Sequence, residues 1–290
     1  MHILITGATG FIGSTLLSQL IVRHPEAEIL CIVRDAVKLN DKFTKHPSIK
    51  YCNGLDQNEI IKFAPEYVIH LAACNTPTES YENIDPLISS NITFGLKLLE
   101  ILTKIKNLKL FINTGSFSQY TQEGDAYLYS ASKTAFEIFI RFYAIHHNLK
   151  YITAVPYSVY GGKTTVKRIF DYIAESVGAT EAVKMTPGLQ KLDFIHINDV
   201  VDFYISAIEN AQIFNAGDVI HLGSGKATSL REVVDIFEKE TSQHCNIEWG
   251  GRKYRESDIM YACAPPQPNI KSIWSPQISL SVGIRMFMQP

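Results

Sequence analysis

The sequence predicts an α/β protein: a doubly wound parallel sheet, followed by a smaller α/β C-terminal lobe. Three observations carry this. Short apolar runs alternate with helix-period segments through the first half of the chain, and a glycine-rich turn joins the first such pair. Beyond about residue 158 the alternation loosens.

The bulk properties suit that architecture. The chain has 290 residues, enough for one large domain or two interleaved ones with a sizeable core. It is 46% hydrophobic and 19% charged, the composition of an ordinary globular protein. Its 27 Lys and Arg nearly balance 29 Asp and Glu, so there is no electrostatic footprint for nucleic acid or an anionic membrane. The five cysteines (Cys31, Cys52, Cys74, Cys245, Cys263) are odd in number and lack close Cys-x-x-Cys spacing. Reduced thiols are therefore expected rather than disulfides or a metal site. With the first strand beginning at His2 and no apolar run of bilayer-spanning length, a cytoplasmic protein is expected.

The elements follow in order. "HILIT", "EILCIV", "YVIHLA", "LKLFINT" and "YITAVPY" read as buried strands, because continuous apolar runs suit a parallel sheet covered on both faces. Residues 11–23, 85–104 and 129–147 carry apolar positions at helical spacing. "DFIHI" and then "NDVVDFYISAIEN" repeat strand and helix, and "CAPPQPN" reads as an extended connection. This divides the chain into a dinucleotide-binding domain, 1–157 plus 192–213, and a substrate lobe, 158–191 plus 214–290.

"ILITGATGFIGS" sets Gly7, Gly10 and Gly13 between a predicted strand and a predicted helix. Glycines there allow a tight turn and close approach of backbone to a pyrophosphate, while the helix N-terminus offers free N–H groups. The expected domain is thus Rossmann-type. An acidic residue about twenty positions on would bind the ribose of NAD. That position is Val33 here, followed by Arg34, which could grip a 2′-phosphate. NADP(H) is favoured, with NAD(H) as the alternative because Asp35 stands beside Arg34.

Tyr129 and Lys133 lie four apart on a predicted helix and so share a face. An ammonium beside a phenol favours phenolate, giving a proton donor or acceptor usable near neutral pH. Ser116 stands a short loop upstream.

Together these residues resemble the extended short-chain dehydrogenase/reductase family, the NAD-dependent epimerases, dehydratases and reductases of nucleotide sugars. The likeness runs over nearly the whole chain. "TGATGFIG" is similar to the family's cofactor loop, which implies cofactor contacts from Gly7, Thr9, Gly10, Phe11 and Ile12. "HLAA" implies that Leu71, Ala72 and Ala73 line the dinucleotide, and "SNITFG" that Asn91 helps hold it. "YSASK" carries the Tyr-x-x-x-Lys pair, and "PYSVYGG" resembles the segment against the nicotinamide, beginning at Pro156. By this resemblance Tyr129 is the general acid/base, Lys133 lowers its pKa and holds the ribose, and Ser116 orients the substrate carbonyl. Thr114 and Ser118 are alternatives for the hydroxyl, and Ser118 is also a candidate substrate contact. The Phe- and Ile-rich "FEIFIRFYAIHH" implies a homodimer through paired helices.

The reaction is narrowed by what is missing. The family's 4,6-dehydratases place Asp-Glu directly after the hydroxyl residue, where this chain has Phe117 and Ser118. Several stretches, including "PGLQKLDF" and "YRESDIMYACA", resemble sugar 4-ketoreductases of the group containing CDP-paratose and CDP-abequose synthases. That resemblance implies reduction of a CDP-4-keto-3,6-dideoxyhexose-like substrate for surface polysaccharide (O-antigen) synthesis. A nucleotide-sugar 4-epimerase holding NAD is the alternative, and a non-catalytic dinucleotide-binding regulator the second alternative. Two usual basic positions are Leu192 and Val155 here, which leaves Lys191 and Arg255 as the expected grips on the substrate diphosphate, with Arg252 and Lys253 near them.

Overall fold

The computed structural model describes residues 1–34, 39, 43, 46–75, 80–121, 127–162, 166–256 and 258–288. The apolar runs of the first half form β1 (His2–Thr6), β2 (Glu28–Val33), β4 (Tyr67–His70), β5 (Leu110–Thr114) and β6 (Tyr151–Pro156), with β3 (Ile49–Asn53) between the second and third of them. Then come β7 (Ser158–Tyr160), β8 (Val183–Met185), β9 (Lys191–His196), β10 (Asp218–Leu222), β11 (Ala227–Ser229), β12 (Ile247–Trp249) and β13 (Tyr261–Ala262).

Seven strands form one parallel sheet in the order β10-β6-β5-β4-β1-β2-β3. Alternation along each strand fills two cores at once. Ile3, Ile5, Ile29, Cys31, Ile69 and Ile112 pack toward the helices Phe11–Arg23 and Ile197–Glu209. Leu4, Leu30, Val68 and Phe111 pack toward the helices Gln57–Phe63, Phe94–Leu102 and Leu128–His147. Phe111 and Phe136 are fully buried, each burial stabilising by roughly 2–3 kcal/mol. The strand order reverses direction between β1 and β4, and ligands of open α/β sheets bind at the carboxyl ends of strands beside such a switch.

The smaller part of the chain is built around β9, which pairs with β7, β11 and β13. Asp193 at its centre accepts backbone N–H groups from Ser224 (2.7 Å), Gly225 (2.9 Å) and Ala264 (3.0 Å), tying two separate segments to this strand. Among the described residues, no helix is long and apolar enough to cross a membrane.

Three expectations need correction. Strand β10, inside the span assigned to the substrate lobe, pairs with β6 and extends the large sheet. Conversely β9, assigned from residue 192 to the dinucleotide domain, forms the spine of the smaller mixed sheet. The helix expected over 85–104 begins at Tyr81, passes through a π-helical turn at Ser89–Thr93 and ends at Leu102. Pro86 lies inside that helix.

Candidate active site

The glycine turn does what its spacing predicts. Gly7 has φ 73°, and a Cβ there would stand 2.8 Å from the backbone nitrogen of Ala72, so the turn and the loop after β4 can approach only without a side chain. A Cβ on Gly13 would collide with the Gly7 carbonyl, so the helix packs directly on its own turn. That helix, Phe11–Arg23, starts after Gly10 with no side-chain cap and no acidic residue in its first turn. Bare N–H groups and a positive dipole end suit a diphosphate.

A groove of about 420 Å³ opens there, lined by Gly7, Thr9, Gly10, Val33, Arg34, Leu71, Ala72, Ala73 and Cys74 among others. Arg34 is exposed at its rim, beyond the end of β2. Asp35 lies outside the described residues. The donor set fits a dinucleotide: helix N–H groups for the pyrophosphate, apolar walls for an adenine and a cation beside the ribose position. Ile12 lies in the first helical turn.

The loop after β4 is fixed from behind. Ala72 N–H donates to Thr6 Oγ1 (3.1 Å), and the Thr6 hydroxyl meets His70 Nδ1 at 2.8 Å. His70 is buried among Phe94, Phe111 and Phe136, and burial, helped by the Lys133 charge, pushes its pKa down to about 3. It is a neutral structural histidine. Asn91, at the π-turn, accepts from Cys74 N–H (2.7 Å) and donates to the Cys74 carbonyl (3.0 Å) and to Ser132 Oγ (2.9 Å). Expected as a cofactor contact, it instead clamps the loop after β4 to the helix Leu128–His147, and its buried amide is spent on those partners. Pro156 is likewise buried at the end of β6, while the residues that follow it line the neighbouring cavity.

Lys133 reaches the carboxyl end of β5, Ser116 follows that strand by two residues, and Tyr129 precedes Lys133 by one turn on the helix Leu128–His147. Lys133 is 3% exposed and its Nζ donates to the Thr114 carbonyl at 2.8 Å, the last residue of β5. Burial pushes its pKa down to about 8, opposed by Glu137 one turn on. Burial also pushes the Tyr129 phenol up to about 12, with Arg168 pulling it down and Cys74 pushing it up. This corrects the expected lowering by Lys133, whose bond goes to Thr114 instead. Tyr129 is therefore a protonated phenol, acted on electrostatically by Cys74 of the cofactor groove and Arg168 of the cavity beyond. The Thr114 hydroxyl is paired with Tyr204 at 2.8 Å, which removes it as a substrate hydroxyl. Ser118 is buried, its Oγ between those of Ser116 (2.8 Å) and Ser130 (2.7 Å), so it supports Ser116 and does not face substrate.

On the far side lies a cavity of about 330 Å³ walled by Phe11, Phe117, Tyr157, Leu192, Phe194 and Leu230, with Arg168, Asp171 and Gln190 as polar members. Phe117 stacks on Tyr157 with ring centroids 5.4 Å apart, and the Arg168 guanidinium sits 4.1 Å over the Phe11 ring. Alternation along β9 puts Leu192 on this wall and Lys191 on the exposed face, so Lys191 is not brought to the cavity. Arg255 is exposed, with its backbone N–H on Asp258 at 2.9 Å. Sequence reasoning missed Arg168, Cys74 and Ser130. Only Ser130 had a signal, as an unassigned position inside "YSASK".

The geometry has clear relatives. The chain is 28% identical to a CDP-abequose synthase of Salmonella muenchen, covering 99% of this chain and 96% of that protein. It is 25% identical to a putative UDP-glucose 4-epimerase of Methanocaldococcus jannaschii, over 98% and 96%. In fold it matches the UDP-glucuronic acid 4-epimerase of Bacillus cereus, solved with UDP-glucuronic acid and NAD, with a TM-score of 0.86 at 21% identity over 99% and 98% of the chains. The model of the NAD dependent epimerase/dehydratase family matches residues 3–223. The chain belongs to that family, as an enzyme of the extended short-chain dehydrogenase/reductase type.

Proposed function

We propose that the protein reduces the C4 keto group of a nucleotide-linked deoxyhexose, of the CDP-4-keto-3,6-dideoxyhexose kind, with NADPH preferred over NADH. The observation that carries this is the apolar wall of the cavity that Phe117, the residue after Ser116, helps to line: Phe117, Tyr157, Leu192, Phe194 and Leu230. Such a wall suits sugar carbons that have lost their hydroxyls, because each unpaired hydroxyl pressed against it would be left desolvated. Likeness to CDP-abequose synthase over the full chain supports the same substrate class.

The protonation state also supports reduction. A bound nicotinamide supplies the hydride. As negative charge grows on the C4 oxygen, Tyr129, protonated with a pKa of about 12, is the donor of the proton. Ser116 donates a hydrogen bond to the same oxygen. Lys133, buried and charged below pH of about 8, holds positive charge there and would meet ribose hydroxyls of the bound dinucleotide. Phe117 and Ser118 offer no acid or base where a dehydratase needs both.

Arg34, exposed at the rim of the groove next to apolar Val33, supports NADP(H) over NAD(H). A homodimer is supported by the exposed Ile138, Phe139, Phe142 and Ile145 on one helix and Tyr81, Ile84 and Ile88 on its neighbour. Cytoplasmic action in surface polysaccharide synthesis is part of this reading.

Epimerisation at C4 is the second reading, favoured by the likeness to 4-epimerases in fold and over the full sequence. It would need Tyr129 to begin as a base, against its raised pKa. The test supplies NADPH or NADH with a panel of nucleotide-linked 4-keto-6-deoxy and 3,6-dideoxy sugars. Stoichiometric oxidation, faster with NADPH, is expected. Interconversion of an ordinary nucleotide sugar without net oxidation would replace reductase by epimerase.

A further inference from the structure

Behind Ser116 runs a short line of hydroxyls. Ser130, 0% exposed in the first turn of the helix Leu128–His147, donates from Oγ to Ser118 Oγ at 2.7 Å. Ser118 Oγ in turn lies 2.8 Å from Ser116 Oγ, and the Ser118 N–H points to the same Ser116 oxygen at 3.4 Å. A serine hydroxyl has one proton and two acceptor lone pairs. Either hydroxyl could donate in the Ser116–Ser118 contact; because Ser118 is buried and accepts from Ser130, giving its own proton to Ser116 is the arrangement that leaves no buried donor unpaired among these three hydroxyls. Ser116 then accepts twice, from the Ser118 hydroxyl and the Ser118 N–H, and its remaining capacity is its own proton. The backbone of Ser116 is pinned independently, its N–H donating to Gln119 Oε1 at 2.7 Å.

We propose that Ser130 and Ser118 are positioning residues that make Ser116 a donor-only hydroxyl, aimed at an acceptor oxygen of the substrate. The inference rests on the assignment of Ser116 as the residue that touches the substrate oxygen. The order of the chain, Ser130 to Ser118 to Ser116 to substrate, polarises every bond in the same sense, so each strengthens the next. A donor-only hydroxyl discriminates. It pairs with a ketone oxygen, and better with the oxyanion that replaces it. A neutral alcohol can meet it only as an acceptor. Because the benefit grows as charge develops on that oxygen, the relay acts on kcat and leaves KM nearly unmoved.

The test is a double-mutant cycle on the full chain, with steady-state kinetics read on whichever turnover the wild type shows, reduction or epimerisation. A wrong substrate class then does not imitate a failed relay. Ser130→Ala is expected to lower kcat about 5- to 20-fold with KM within about 2-fold, the loss of one oriented hydrogen bond in a buried site. In a Ser116→Ala background the same change is expected to cost less than about 2-fold, since the relay then has nothing to orient. Cofactor titration by nicotinamide fluorescence checks that each variant keeps its dinucleotide site. Equal losses from Ser130→Ala in both backgrounds would make Ser130 merely structural and overturn the proposal. Unchanged kcat in Ser130→Ala would overturn it too. An unchanged kcat in Ser116→Ala would overturn the relay together with the site assignment.

Discussion

The cofactor groove and the apolar cavity each hold a residue whose charge acts on Tyr129, yet they are built in opposite ways. The groove is made of backbone: Gly7, Gly10 and Gly13 clear space, the loop at Ala72 presses against the turn, and the first helix begins uncapped. The cavity is made of side chains from separate segments, Phe11, Phe117, Tyr157, Arg168, Leu192 and Leu230, which no short motif joins. Backbone function writes a fixed spacing of glycines into the chain. Side-chain function leaves substitutions that only the assembled fold can interpret.

If that contrast holds, damage on the groove and proton-donor side is severe, and damage at the side-chain lobe is graded. The largest effect is expected at the shared point: Tyr129→Phe should lower kcat by about 10³-fold while cofactor affinity stays within about 2-fold, read by stopped-flow oxidation and fluorescence titration. Next, Gly7→Ala imposes a positive φ on a side chain and presses it on Ala72, so cofactor affinity should fall about 30-fold with a lowered Tm. Arg34→Ala should weaken NADPH about 10-fold and NADH less than about 2-fold in parallel titrations, since only one carries the 2′-phosphate.

A pH prediction sharpens the account of Lys133. Its folded pKa is lowered from 10.5 to about 8 by burial, so its positive charge is present below that pH and lost above it. Then kcat/KM should fall as pH rises through about 8, and Lys133→Arg should abolish that limb. Between those two values the unfolded chain holds a proton that the folded chain does not, so folding stability should rise with pH through the same window. Urea midpoints from pH 8 to 10 test the sign. The smallest effect is expected on the side-chain lobe: Lys191→Ala should change substrate KM by less than about 2-fold, because Lys191 faces away from the cavity.

Much of the large sheet was legible because parallel strands buried on both faces read as continuous apolar runs. The predicted "HILIT" and "EILCIV" are β1 and β2 residue for residue. The edge strands β3 and β10 escaped because an edge strand carries few buried positions: Ile49 is the one fully covered residue of β3. The candidate trio of Ser116, Tyr129 and Lys133 was legible as a set of residues from type and spacing. Its electrostatics were not, because whether Lys133 turns to Tyr129 or to Thr114 depends on where β5 ends. Ser118 and Asn91 were found for a role one layer too far forward. Each has its polar atoms taken up by neighbours, Ser116 with Ser130 and Cys74 with Ser132, that are distant in sequence or unremarkable in type.

The most direct test of the central claim follows the hydride. NADPH carrying deuterium at both C4 positions of its nicotinamide is mixed with enzyme and a CDP-linked 4-keto-3,6-dideoxyhexose, and the sugar product is analysed by mass and NMR. Reduction predicts one deuterium at C4 of the sugar for each cofactor oxidised. A product without deuterium, or sugar interconversion with no net cofactor oxidation, would contradict it.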